Sequence, residues 1–157
     1  MTDTNKTWCS CHLLKLNAIC FCVLLSCFLF VTAEVQAHEH YHIVTHSDVS
    51  EKSVSVNVLR AIFSMRLRNW SDGSLIKVFV LADNDDLHHD FSKERLNVFP
   101  YQLRLAWDRL VFSGTGQAPV SVSSYEEMLA MVAGTPGAIG YLKSTYISDD
   151  IHVLKIK

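Results

Sequence analysis

The sequence predicts an α/β layer fold, and three features of the 157-residue chain predict it. Short β-rich apolar segments alternate with segments whose apolar residues recur at helical spacing. Turn and capping signals separate the two kinds. All five cysteines (Cys9, Cys11, Cys20, Cys22, Cys27) fall in the first 27 residues, so the remainder must fold on an ordinary hydrophobic core with no disulfide framework.

The elements follow in order. His42-Ile43-Val44-Thr45-His46 reads as a strand, and Ser47-Asp48 as the loop that leaves it. In the segment 54–63, Val58, Leu59, Ile62 and Phe63 sit at i, i+1, i+4 and i+5, which places them on one face of a helix. Asn69 to Ser74 is a turn, with Asp72-Gly73 supplying a left-handed position. Ile76 to Leu81 is a strand whose near-continuous apolar character suits a sheet covered on both faces. Asp83-Asn84-Asp85-Asp86 opens a second helix running to about Asn97. Pro100 starts a third, with an apolar stripe of Leu103, Trp107, Leu110 and Val111, and Gly114 and Gly116 end it. Ser123 and Glu126 read as a capping box for a helix through Ala133, which Thr135-Pro136-Gly137 breaks. Ala138 to Leu142 and Ile151 to Ile156 are the closing strands. Trp70, Trp107, Phe63, Phe79 and Phe112 are expected in the core.

The N-terminal segment reads as a cleaved secretory signal. Lys6 and Lys15 precede the apolar run Ala18–Val31, and two small-residue exits follow, Val31-Thr32-Ala33 and Val35-Gln36-Ala37. The run is shorter than the roughly 18 to 20 residues that cross a bilayer as a helix, so a retained anchor is the second reading. Cleavage is expected after Ala37, with Ala33 as the alternative, and the cysteines are small apolar filler of the signal. Lipid attachment at Cys27 is disfavoured by the bulk of Leu25 and by Phe28-Leu29-Phe30 continuing the apolar run. The expected organisation is a signal peptide over residues 1–37 and one domain over 38–157, located in the periplasm. The net charge of −2 is unchanged by cleavage and argues against a nucleic-acid partner, whose binders carry a basic face.

Two stretches carry more than periodicity. Residues 58–81 contain a Leu-x-x-Ile-Phe helix, a turn with Trp70, and Asp72-Gly73 leading through Ile76 into a strand; residues 105–142 end in Pro136-Gly137-Ala138-Ile139-Gly140-Tyr141. Over residues 43–142 the chain resembles the phosphate-binding-protein-like branch of the type 2 periplasmic solute-binding proteins. The resemblance implies a single three-layer-like lobe of a fold that full-length members build from two lobes with the ligand clamped between them. It implies non-catalytic solute binding related to phosphate ABC transporter substrate-binding proteins.

In phosphate binders of that family this lobe presents a Ser-Gly-Thr-Arg loop at a helix N-terminus, where backbone N–H groups, the helix dipole and an Arg hold the oxyanion. Aligned on Phe91, this chain has Asp85-Asp86-Leu87-His88 there. Carboxylates at that point occupy the anion's own place and repel it. Met65 replaces the glycine usual after the Ile-Phe helix. Ser113-Gly114-Thr115-Gly116 looks like the displaced loop, but it lies at a helix C-terminus and reads as a helix stop.

Three functional readings result. The first is a binder of an unidentified small solute, its site at loop ends around Ser47, Asp48, Asp85, His88 and Thr135. The second is an interaction or sensory module for a membrane transporter or sensor component. The third is a metal-handling protein using His38, His40 and His42, since imidazole is a competent zinc or copper ligand. The cluster Asp83, Asp85, Asp86, His88, His89 and Asp90 has no recognised ligand spacing and reads as an acidic helix start. No cofactor is expected. No catalysis is expected either, because the chain has no mature cysteine nucleophile, Gly-x-Ser-x-Gly elbow, Walker loop or dinucleotide fingerprint. Arg66 and Arg68 beside Trp70 are candidates for a surface anion or partner patch, with solvated loop charge as the simpler reading.

Overall fold

Six strands form one mixed sheet in a computed structural model that describes residues 41–157. The segment read as a signal, with its cysteines and expected cleavage sites, and His38 and His40, lie outside the described residues. The strands are β1 (Tyr41–His46), β2 (Ser53–Val54), β3 (Lys77–Leu81), β4 (Val120–Val122), β5 (Ala138–Lys143) and β6 (Ile151–Ile156), in the order β2-β6-β1-β5-β3-β4. β3 runs parallel to β4 and β5, β1 is antiparallel to both β5 and β6, and β2 pairs parallel with β6. The C-terminal ends of β3, β4 and β5 therefore share one end of the sheet. His46, where β1 finishes, lies at the other.

The helices are α1 (Val56–Phe63), α2 (Asp86–Asp90) running directly into a π-helical turn at Phe91–Arg95, α3 (Pro100–Phe112) and α4 (Tyr125–Gly134), with a 3-10 turn at Ser144–Tyr146. Neighbouring residues of β5 show how they divide into layers, since successive side chains of a strand point to opposite faces. A Cβ on Gly140 would lie 2.6 Å from Met128 Sδ and 3.1 Å from Val132 Cγ2, so α4 packs directly on that face. Tyr141 faces the other way, stacked on Phe91 at 4.1 Å and 6.0 Å from the Phe63 ring. The Trp107 indole N–H donates to the Phe63 carbonyl at 2.8 Å and ties α3 into the same layer. The result is helix, sheet, helix, the three-layer lobe that the sequence predicts.

The Pro136-to-Tyr141 motif has a physical role at each glycine. Gly137 has φ +75°, and a Cβ there would overlap the Leu75 carbonyl oxygen. Its own carbonyl accepts from Trp70 Nε1–H at 3.0 Å and from Lys77 N–H at 3.1 Å. The Trp70 turn and the start of β5 are thus locked together, while Gly140 admits α4. Val78, Phe79, Val80 and Leu81 are all buried, as expected of a strand covered on both faces. Met65, where the resemblance leads one to expect glycine, has φ +60°, the left-handed conformation that favours glycine.

Three expectations are corrected. Ser124, not Ser123, caps α4, its hydroxyl accepting from Glu127 N–H at 3.1 Å. Glu127, not Glu126, reaches back, and it accepts from Ser123 rather than from the cap residue Ser124, so the reciprocal box is not formed. Phe112 is 88% exposed and outside the core, because α3 turns only Leu103 and Trp107 fully inward. Of the rest of that stripe, Leu110 is half-buried and Val111 is exposed.

Candidate functional site

The segment that the sequence reading sets against an oxyanion loop leaves the C-terminal end of β3 and enters α2. Asp85 is the N-cap of α2 in extended conformation, and one carboxylate oxygen accepts from Leu87 N–H at 2.8 Å and His88 N–H at 3.3 Å. These are N–H groups that a helix start leaves for an incoming anion. Here the chain's own carboxylate takes them. Tyr125 Oη, on α4, lies 3.4 Å from Asp85 Oδ2.

Asp83 extends the same pattern. Arg104 of α3 donates to it through Nε at 2.9 Å and Nη2 at 2.7 Å, a bidentate clasp that holds the Asp83 carboxyl below the usual carboxylate range. The only guanidinium hydrogen-bonded to this loop among the described residues is therefore also satisfied internally.

His88, which the sequence reading aligns with an anion-holding Arg, is a core residue with no exposed surface. Its Nδ1 lies 2.5 Å from Tyr141 Oη, and that oxygen also accepts from Leu81 N–H at 3.0 Å. An imidazole nitrogen and a phenolic hydroxyl can each donate or accept, and one proton lies between Nδ1 and Tyr141 Oη. Nε2 has no hydrogen-bond partner among the described residues; the nearest carboxylate oxygen, on Asp83, is 4.0 Å away. Burial lowers the His88 pKa, with Asp83 and Asp85 pulling the other way, and burial raises that of Tyr141 well above its ordinary value.

Ser47, Asp48 and Thr135 lie at the other end of the sheet. Asp48 Oδ1 accepts from Gly137 N–H at 3.2 Å and is 2.6 Å from His46 Nδ1. The upward push of burial on Asp48 is outweighed by these bonds, leaving its carboxyl below the usual range. Thr135 ends α4 and its carbonyl accepts from Ala138 N–H; Ser47 is exposed on the β1 turn. The five sequence-predicted residues thus form two groups at opposite ends of the sheet. Asp85 and His88 come together, and Asp48 sits beside the Thr135 turn. The expectation of one site failed because β1 runs antiparallel to β5, which the linear order of elements does not reveal.

Among the described residues, no three His, Cys, Asp or Glu side chains are grouped so as to hold a metal ion. His42 is half-buried on β1. The cluster Asp83 to Asp90 is dispersed: Asp83 pairs with Arg104, Asp85 caps α2 and His88 is in the core. Ser113 to Gly116 is a helix stop as expected, with Gly114 at φ +67° and the N–H groups of Gly114, Thr115 and Gly116 bonded to carbonyls of α3. The sequence reading missed Tyr125 and Arg104 as partners of the loop. Each is more than twenty residues from its aspartate, and no local signal connects them.

Comparison with solved structures places this architecture. A structure from Clostridium perfringens, described as a phosphate ABC transporter substrate-binding protein with bound phosphate, superposes with a TM-score of 0.60 at 18% identity, over 74% of this chain and 44% of that one. An ABC-type phosphate transport receptor from Vibrio cholerae gives 0.59 at 13% identity, over 74% and 45%. PstS from Borrelia burgdorferi gives 0.57 at 13%, over 74% and 47%. The chain has the fold of one lobe of a phosphate-type substrate-binding protein. It spans less than half the length of these neighbours. No family model matches the chain, and no curated protein matches its sequence.

Proposed function

We propose that this chain is an exported, non-catalytic binding module on the solute-binding lobe fold, with the family's oxyanion site closed by its own carboxylates. The observation that carries the reading is the Asp85 carboxylate on the N–H groups of Leu87 and His88. A phosphate arriving there would have to displace one carboxylate from the helix start and approach the exposed Asp86 beside it, against like-charge repulsion. The ligand of such a module is not inorganic phosphate at this loop. Phosphate titration into the wild type and an Asp85→Ser, Asp86→Gly variant tests this. Tighter binding by the variant is expected, and equal affinity in the two would sink the reading.

The structural neighbours are binding proteins, named for phosphate and for ABC transport, which supports a binding role in association with a membrane transporter and a location in the periplasm. Export itself rests on the sequence of residues 1–37, and the mature protein should start at His38.

A second reading, a contact surface for a membrane transporter or sensor component, is favoured by α3. Tyr101, Leu105 and Phe112 are exposed on it and fall within one narrow stripe at helical spacing, on the side away from Leu103 and Trp107. A photo-crosslinking residue at Phe112 should form an adduct with a membrane protein in cells. Adduct formation only with soluble proteins would rule this reading out.

A further inference from the structure

A groove of about 430 Å³ lies between α1 and α3, with Val98 of the segment that follows the π-helical turn in its lining. Val98, Leu103 and Leu110 give it an apolar floor, and Arg60, Arg66 and Arg109 stand in its wall. No Asp or Glu lines it, in a chain whose net charge is −2.

The three guanidinium groups are held differently. Arg60 is braced, its Nε donating to the Leu96 carbonyl at 2.7 Å and its Nη1 to Asn57 Oδ1 at 3.2 Å. Arg66 donates only through Nε, to Ser64 Oγ at 2.9 Å. The Arg109 guanidinium has no hydrogen bond to the described residues, and none of the three has a carboxylate partner among them. Arg68, the neighbour of Arg66 in sequence, instead spends its Nη2 on the Thr115 carbonyl at 2.7 Å.

We infer that this groove binds a small amphiphilic carboxylate, with the apolar body over Val98, Leu103 and Leu110 and the carboxylate against Arg66 and Arg109. A guanidinium fork matches a carboxylate in two parallel hydrogen bonds, and an apolar floor beside it makes that contact stronger than in open water. Clustered cations without counter-charges repel one another, and an anion relieves that repulsion. The volume lies within the range of roughly 300–1,000 Å³ typical of small-ligand sites, and the arginine-lined wall with no carboxylate fits an anionic head. The groove shares no residue with the loop from Ala82 to His88, so this inference stands or falls independently of the function proposed above.

Decanoate, decylamine and acetate are the probes, followed by amide chemical-shift titration of the purified protein. Decanoate should bind saturably with a Kd below about 1 mM and shift the amides of Ser64, Leu103 and Ala106. Decylamine, which has the body without the anion, and acetate, which has the anion without the body, should each bind at least about tenfold more weakly. Arg66 and Arg109 are exposed, so the double variant Arg66→Gln, Arg109→Gln should keep the fold and lose decanoate affinity about tenfold or more. Ala106→Phe, which fills the groove, is the second variant and should abolish the shifts. Decylamine binding as tightly as decanoate, undiminished decanoate affinity in the arginine double variant, or no saturable binding to the wild type would each overturn the inference.

Discussion

The imidazole Nδ1 of His88 and the hydroxyl of Tyr141 lie 2.5 Å apart in the core of the lobe. His88, which the sequence reading aligns with the Arg of an oxyanion loop, is a packing element here. Its ring lies against Tyr141 and Trp107, at 6.0 Å and 6.4 Å between centroids, and has no exposed surface.

Stability should therefore depend on pH through His88. Burial lowers its pKa in the folded state below the ordinary value of about 6.5, so the unfolded chain takes up this proton first as pH falls. The stabilisation is complete above about pH 6.5 and is lost progressively below it, until the folded pKa is reached. Asp83, Asp85, Arg104 and His89 surround the ring electrostatically, and the two carboxylates limit the effect without reversing it. Urea unfolding at pH 7.5 and 5.5 should show wild type losing more stability than His88→Gln. Parallel losses in the two proteins would mean that His88 does not carry the titration.

Removing the cap of α2 has a separate cost. Asp85→Ala frees Leu87 N–H and His88 N–H and should destabilise the protein by about 1 kcal/mol, within a range of about 0.5–2. Asp85→Ser keeps an acceptor and should recover most of the loss. Chemical denaturation of the two variants reads both values, and an unaltered Asp85→Ala midpoint would show that the cap bonds contribute nothing.

Gly137→Ala should be far more damaging than a surface change. The residue has φ +75° and faces the Leu75 carbonyl, so an added methyl group meets both a strained backbone and an overlap. A loss of at least about 2 kcal/mol is expected. Thermal unfolding measures it, and a shift of only a degree or two would contradict the packing described here.

Most of the fold was legible because its signals are local. The period-3.6 pattern at Leu59, Ile62 and Phe63, the apolar run to Leu81 and the Pro136-to-Tyr141 motif each depend on near neighbours in sequence. The α4 cap was misplaced by one because Ser123 and Ser124 are chemically identical and only the backbone at Ser124 decides between them. Phe112 was read as core because aromatic residues usually are, whereas the helix carrying it had already buried its inward face with Leu103 and Trp107. The candidate site was less legible. Asp85 and His88 were found by alignment, but the clasp of Arg104 on Asp83 spans 21 residues and Tyr125 reaches Asp85 across 40. Those partnerships follow from the order of strands in the sheet, as does the separation of Ser47, Asp48 and Thr135 from the loop.

The measurement that bears most directly on the closed oxyanion loop is a calorimetric titration of phosphate into the purified wild-type protein at pH 7.5. Asp85 holds the N–H groups, Asp83 holds Arg104 and the buried ring of His88 offers no fixed positive charge, so binding should be no tighter than about 1 mM, worth only about 4 kcal/mol. Micromolar binding that is lost on substitution within Ala82 to His88 would contradict the account at its centre.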